Sequence, residues 1–263
     1  MIRKDFLLKL LVYSLLLFTN CIKEKSGEKA EKDKEIPIDI NTEVRTKAGL
    51  GNNFEYKVFY QELNQSSTRR GLVILAVGDG GSHNDVTLNV QCEALAQKGF
   101  VALTTTYRSN SFSGQDAYKK WMAQFKADIE QIIKQETESF NITRDKVVIG
   151  GLSRGGNLLL GSILPLGQMD DIPPITGIKG VILECAGGDQ WKGSAILFPV
   201  LFMSNVTDNN VGTDAEAFKN GLQSNTNPNV KDKSKTLIIP GQGHCTGSAQ
   251  YKDFIVNHID SWF

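Results

Sequence analysis

The sequence predicts an α/β fold, a mostly parallel central sheet with helices on both faces and no separate cap domain. Three observations predict it. Strand-like and helix-like runs alternate from residue 54 onward. The inner strand candidates are continuously apolar, as strands covered on both faces are. No segment between them is long enough to form a second domain, and 263 residues suit one large domain better than two.

The elements follow in order. Phe54-Glu55-Tyr56-Lys57-Val58-Phe59-Tyr60 alternates at period two and reads as a half-buried strand. Leu72 to Val77 is an unbroken apolar run that stops at Gly78, and 84–98 carries Val86, Val90, Ala94 and Leu95 at helical spacing. Phe100 to Thr104 is the next strand. From about 115 to 138 Met122, Phe125, Ile129, Ile132 and Ile133 recur at three and four, the stripe of an amphipathic helix. Lys146 to Gly150 is a strand, and Leu158, Leu159 and Leu160 place a helix after Ser153. Strands at 178–183, 199–204 and 236–239 follow, with helices at 213–223 and 248–262. The stretches 105–115, 165–176 and 185–197 read as loops.

The first forty residues have a different character. Arg3, Lys4 and Lys9 precede an apolar or neutral run from Leu10 to Phe18, too short for a spanning helix of roughly 20 residues and the size of a signal-peptide core. Leu17-Phe18-Thr19-Asn20-Cys21 resembles the lipobox of bacterial lipoproteins, with Phe18 and Asn20 where that pattern prefers Leu and Gly or Ala. From Lys23 to Glu35, ten of thirteen residues are charged, five Lys and five acids, so the segment has nothing to bury and reads as a solvated tether. The division expected is a lipoprotein signal over 1–20, a lipid-attachment Cys21 with its tether over 21–40, and the domain over 41–263. An ordinary secretory signal with a chance cysteine is the alternative. Both put the domain outside the cytoplasm, and the first adds a membrane as partner through Cys21.

Charge excludes little but points away from nucleic acid: Lys plus Arg equals Asp plus Glu at 29 each, so no global field draws polyanions. Besides Cys21 there are Cys92, Cys185 and Cys245, which allow at most one disulfide among themselves. No spacing reads as a zinc site, so neither a metal nor another cofactor is expected.

The chemistry concentrates in three places. Gly150-Gly151-Leu152-Ser153-Arg154-Gly155-Gly156 contains G-x-S-x-G between an apolar strand and an apolar helix. A nucleophile on so sharp a turn needs glycines around it, because neighbouring backbone passes too close for a Cβ. The bland reading is a serine in a glycine-rich turn. Val77-Gly78-Asp79-Gly80-Gly81-Ser82-His83 closes the 72–77 strand; as a phosphate loop it lacks a following Lys-Ser or Lys-Thr. Thr236-Leu237-Ile238-Ile239-Pro240-Gly241-Gln242-Gly243-His244 runs a strand into a small-residue loop ending in His. Of the three histidines, His83 reads as a rim residue and His258 as part of the terminal helix, leaving His244 as the base.

Together these segments resemble the α/β-hydrolase family, nearest to its small dienelactone-hydrolase-like and esterase-like members, over residues 54–263. The glycine loop resembles the family's H-G-x-G-G oxyanion loop, with Val77 at the His place. The resemblance implies that the Asp79 and Arg154 backbone amides hold an oxyanion. Val200 to Asp208 resembles the family's strand followed by a turn bearing the acid, which makes Asp208 the acid, with Asp214 and Glu184 as rivals. Ser153, Asp208 and His244 then stand in the chain order the fold requires. Dienelactone hydrolases proper use a Cys where this chain has Ser153, which implies cleavage of ordinary carboxylic esters, with a small ester as substrate. A prolyl-oligopeptidase-type peptidase and a binding lipoprotein without activity are the alternatives. Only 15 residues, 184–198, separate two strands where lipases carry a lid, so a shallow site favouring short acyl chains is expected.

Overall fold

The computed structural model describes residues 39–48, 53–62, 68–107, 116–164 and 173–263. The expected signal over 1–20, Cys21, nearly all of the tether and parts of two predicted loops (108–115 and 165–172) lie outside the described residues.

The strands are β1 (Ile40–Ala48), β2 (Asn53–Gln61), β3 (Leu72–Ala76), β4 (Val101–Thr105), β5 (Val147–Leu152), β6 (Gly180–Glu184), β7 (Val200–Asp208), β8 (Thr213–Asp214) and β9 (Lys235–Gln242). The helices are α1 (Val86–Gln97), α2 (Ala117–Phe140), α3 (Arg154–Ile163), α4 (Gln190–Ala195), α5 (Ala215–Gln223), α6 (Pro228–Lys233) and α7 (Ser248–His258). They build one mixed sheet in the order β1-β2-β4-β3-β5-β6-β7, with β9 and the short β8 both on β7. From β4 to β9 the long strands are parallel, and β1 and β2 are antiparallel additions at one edge. This is the predicted α/β architecture.

The central strands β3, β4, β5 and β6 are buried almost throughout, as their unbroken apolar runs require. Period two assigns the faces. Gly180, Ile182 and Glu184 point to one side, where Gly180 lies under Trp262 and Glu184 meets Gln91 of α1. Leu183 points to the other, level with Gly151, against which the start of α3 packs. Accordingly α1 packs with α7, and α2 with α3. The helices cover both faces.

Four features differ from the sequence reading. β1 was not predicted, because its face of Ile40, Thr42 and Val44 is only weakly apolar, and Val44 stays exposed in the structure. Its pairing with β2 holds it, as does the Arg45 guanidinium on Glu136, whose other oxygen takes the Tyr56 hydroxyl at 2.6 Å. The 185–197 loop contains α4, started by Asp189 accepting the Lys192 N–H at 3.1 Å. α6, begun by Asn227 with Pro228 in its first turn, was also unpredicted. His83 is buried rather than at the rim, 3.7 Å from the Glu55 carboxylate.

Candidate active site

The parallel strands end on one side of the sheet, and three of those ends carry the predicted residues. Ser153 sits between β5 and α3 at φ +52° and ψ −115°, a conformation that side chains rarely adopt. Its N–H donates to the Glu184 carbonyl at 2.7 Å, and its carbonyl accepts the Asn157 N–H at 3.0 Å. The glycines do what the turn demands: a Cβ on Gly151 would lie 2.5 Å from Gly155 backbone, and one on Gly155 would collide with the Val77 carbonyl.

The glycine loop after β3 lies beside this turn. Gly78 backs onto Ser153, its Cβ position 3.5 Å from the Ser153 Cβ, and Gly81 closes the turn on the Gly78 carbonyl at 3.1 Å. Asp79 follows Gly78, and its carboxylate lies 3.7 Å from the Arg154 guanidinium, so the two residues expected to supply amides are neighbours in space. Arg154 opens α3, where a backbone N–H has no intrahelical partner.

His244 follows β9 and completes a chain of hydrogen bonds. Its Nε2 is 2.8 Å from Ser153 Oγ, and its Nδ1 is 2.6 Å from Asp208 Oδ2. Asp208 is buried and its other oxygen accepts the Asn210 N–H at 3.1 Å, so the carboxylate is fixed from both sides. The histidine remains partly exposed, its side chain 27% accessible. The acid is not carried on a turn, as the resemblance implied. β7 continues through a bulge to Asp208, held by β8 on one side and β9 on the other.

The rivals are elsewhere. Asp214 caps α5, accepting the Ala217 N–H at 2.9 Å. Glu184 is fully buried and turned toward α1, where it accepts from Gln91 at 2.8 Å. Burial raises its carboxyl pKa to about 7. His258 stacks against Phe254 at the end of α7.

The sequence reading left the cysteine pairing open, and the structure joins Cys185 to Cys245. Cys185 follows Glu184 and Cys245 follows His244, so the bond lies within the site. The loop is fastened a second time by Asn205 and Thr246: the Asn205 amide donates to the Thr246 hydroxyl at 2.6 Å and accepts its N–H at 3.3 Å. A cleft of about 390 Å³ opens along α3, lined among others by Arg154, Asn157, Gly187, Lys192, Asn210 and Val211. Among the described residues no three His, Cys, Asp or Glu side chains gather as metal ligands.

No family model matches the sequence, and no curated protein matches it. Solved structures do. A cold-adapted esterase from an Arctic intertidal metagenomic library superposes with a TM-score of 0.62 at 13% identity, covering 87% of this chain and 97% of its own. An esterase of the planctomycete Thermogutta terrifontis gives 0.58 at 16% identity, covering 84% and 91%. A protein of Klebsiella pneumoniae assigned as a dienelactone hydrolase gives 0.55 at 13%, covering 85% and 98%. The chain has the α/β-hydrolase fold.

Proposed function

We propose that this α/β-hydrolase-fold chain is a serine hydrolase that cleaves small carboxylic esters. The observation that carries the reading is the unbroken chain from Ser153 Oγ through the His244 ring to Asp208, at 2.8 and 2.6 Å. His244 takes the Ser153 proton as Oγ attacks the ester carbonyl, and Asp208 orients the ring and stabilises the imidazolium without taking the proton. The Asp79 and Arg154 amides face the oxyanion, where losing one donor typically costs about a hundredfold or more in rate. His244 protonates the departing alcohol. It then deprotonates a water that attacks the acyl-serine, which releases the acid and restores Ser153.

A cleft of about 390 Å³ reaches the site at Arg154 and Asn210, close to Ser153 and Asp208 in the chain, but neither Ser153 nor His244 lines it. Its size, near the low end of the roughly 300–1,000 Å³ usual for small-molecule sites, suits part of a small ester. Esterases predominate among the structural neighbours, which supports an ester as the substrate class, although an isopeptidase is similar to the same degree. The chain acts outside the cytoplasm, held to a membrane by an acyl group on Cys21. The charge order of residues 3–35 supports that placement, as does a disulfide, which persists in oxidising compartments.

The test combines a fluorophosphonate probe with p-nitrophenyl esters from acetyl to palmitoyl. Labelling at Ser153, lost in Ser153→Ala together with nearly all turnover, is expected, with activity flattening or falling beyond short chains. Preferential cleavage of a peptidyl p-nitroanilide would favour the peptidase reading, and no labelling at all would favour a binding protein. Partition of the full chain into detergent, abolished by Cys21→Ser, tests the anchor.

A further inference from the structure

Four non-glycine residues among those described adopt positive φ: Asn141, Ser153, Cys185 and Cys245. Asn141 ends α2 in an ordinary left-handed cap. The other three stand together at the site, and two of them are the halves of one disulfide. Strained backbone of this kind persists where the surroundings hold it, and it clusters where geometry matters for function.

The path of the bond explains what it holds. Glu184 accepts the Ser153 N–H at 2.7 Å, so the end of β6 is the nucleophile's backbone support. Cys185 is the next residue, itself bound to β7 by its N–H on the Met203 carbonyl at 2.7 Å. From Cys185 the disulfide crosses to Cys245, beside His244, with 5.4 Å between the Cα atoms. β7 lies between β6 and β9, so no ladder of hydrogen bonds joins the two ends directly. β9 ends exposed at Pro240, Gly241 and Gln242, and the loop beyond it touches β7 through the Gly243 N–H on Thr207 and the Asn205–Thr246 pair. The sulfur bridge is the covalent connection between the nucleophile's support and the base's neighbour.

We propose that the Cys185–Cys245 disulfide positions His244 for catalysis, so that its reduction by a dithiol switches the hydrolase off without unfolding it. The inference rests on the ester-hydrolase reading above. In the reducing step the S–S bond breaks, each sulfur takes one proton and one electron from the dithiol, and the reagent closes to its own disulfide. Reoxidation reverses this. The fold has reason to survive: Cys185 Sγ lies 3.2 Å from the Tyr251 hydroxyl, so the freed thiol keeps a polar neighbour, and Cys185 stays packed in the apolar core as a small buried side chain whether or not it is bridged. What is lost is the fixed position of the imidazole, which acts in the chemical step more than in substrate binding.

The experiment measures kcat and KM on a short-chain p-nitrophenyl ester before and after dithiothreitol, on the full chain. Free thiols are counted by mass spectrometry and folding is followed by far-ultraviolet circular dichroism at the assay temperature. Reduced, folded protein should lose at least tenfold in kcat with KM within about twofold, and recover on reoxidation. Cys245→Ser should match the reduced enzyme and no longer respond to the dithiol. Cys92→Ala, which removes the buried free thiol outside the bridge, should respond as the wild type does. An unchanged kcat in reduced, folded protein overturns the inference and leaves the hydrolase reading intact, as does activity that falls only with the dichroism signal. Oxidised protein that neither turns over esters nor takes a fluorophosphonate overturns both.

Discussion

The nucleophile turn and the histidine loop hold their residues by different means. Ser153 stands over the middle of the sheet, between buried strands, and close packing fixes it: Gly151 against Gly155, Gly155 against Val77, Gly78 against Ser153. His244 stands at the sheet's far edge on a loop with little burial, fixed by discrete links to Asp208, Asn205 and Cys185. Packing resists any change of volume, so the nucleophile turn should break through structure. Links can be cut one at a time, so the histidine loop should break through rate. The fold places the rigid half where helices and strands converge and the adjustable half at the edge, where the proposed base would have to move protons in both directions.

The largest effect should come from cutting the link to the acid. Asp208→Asn keeps shape and burial but can neither hold the neutral imidazole in the required tautomer nor stabilise the imidazolium. Turnover should fall by about 10⁴, with little change in melting temperature. Asp214→Asn keeps an oxygen that caps α5, and Glu184→Gln alters a group turned toward α1; both should leave turnover within a few-fold. A deep loss of rate in either, measured on the same ester, would move the acid away from Asp208.

On the packed side, Gly155→Ala should cost stability first. Its Cβ would meet the backbone oxygens of Val77 and Ala76, which sit at the end of a central strand and have nowhere to move. On the order of 4 kcal/mol is expected, at the severe end for one substitution, seen as a lower urea midpoint or insoluble protein. Normal stability with lost activity would mean that the nucleophile turn is less rigid than its contacts imply.

Much of the packed side was legible in the sequence and little of the linked side was. The turn at Ser153 is written in seven consecutive residues, because its constraints are local: an apolar strand, glycines where backbones touch, an apolar helix. The fold class was legible for a similar reason, since continuous apolar strands and a period of 3.6 are short-range signals. β1 was not, because an edge strand needs no strongly apolar face once its partner is present. The six residues of α4 sit between Gly187-Gly188 and Pro199, which read as loop, and a cap at Asp189 is too common a pattern to overrule them. The pairing of Cys185 with Cys245, 60 residues apart, follows only from the order of strands in the sheet. The burial of His83 follows from the same kind of long-range placement.

Glu184 joins the two sides, since its carbonyl supports Ser153 and its neighbour Cys185 anchors the histidine loop. Burial raises its carboxyl from 4.5 to about 7 in the folded state. The unfolded chain releases this proton first, so the folded state binds more protons between those values. Stability should therefore fall as pH rises from about 4.5 to 7, by roughly 3 kcal/mol in all. Glu184→Gln should flatten that part of the profile in urea titrations run at several pH values. A wild-type profile already flat there would show that the carboxyl ionises at its ordinary pH despite its burial.

The smallest effect should come from the second fastening of the histidine loop, and it tests whether the links act as a set. Thr246→Val keeps the shape of the side chain and removes the hydroxyl that accepts from the buried Asn205 amide at 2.6 Å, while the Thr246 N–H bond to Asn205 survives. An unpartnered buried donor costs about 1–3 kcal/mol, and the lower end applies because one of the two bonds remains. With the disulfide intact the loop stays tied beside His244, so kcat should drop by only a few-fold. With the disulfide reduced, the same substitution leaves the loop tied to β7 only by the Thr246 N–H on Asn205, the Gly243 N–H on Thr207 and the triad itself, and the loss should be larger. Neighbouring links that share a load show coupling of about 0.5 kcal/mol or more, whereas independent ones add within roughly 0.3–0.5 kcal/mol. The cycle needs four kcat values: wild type and Thr246→Val, each oxidised and reduced. A larger penalty in the reduced pair would show that the base is held jointly. Strict additivity would mean that the disulfide and the Thr246 hydroxyl hold the loop independently, each with its own share, rather than as a set.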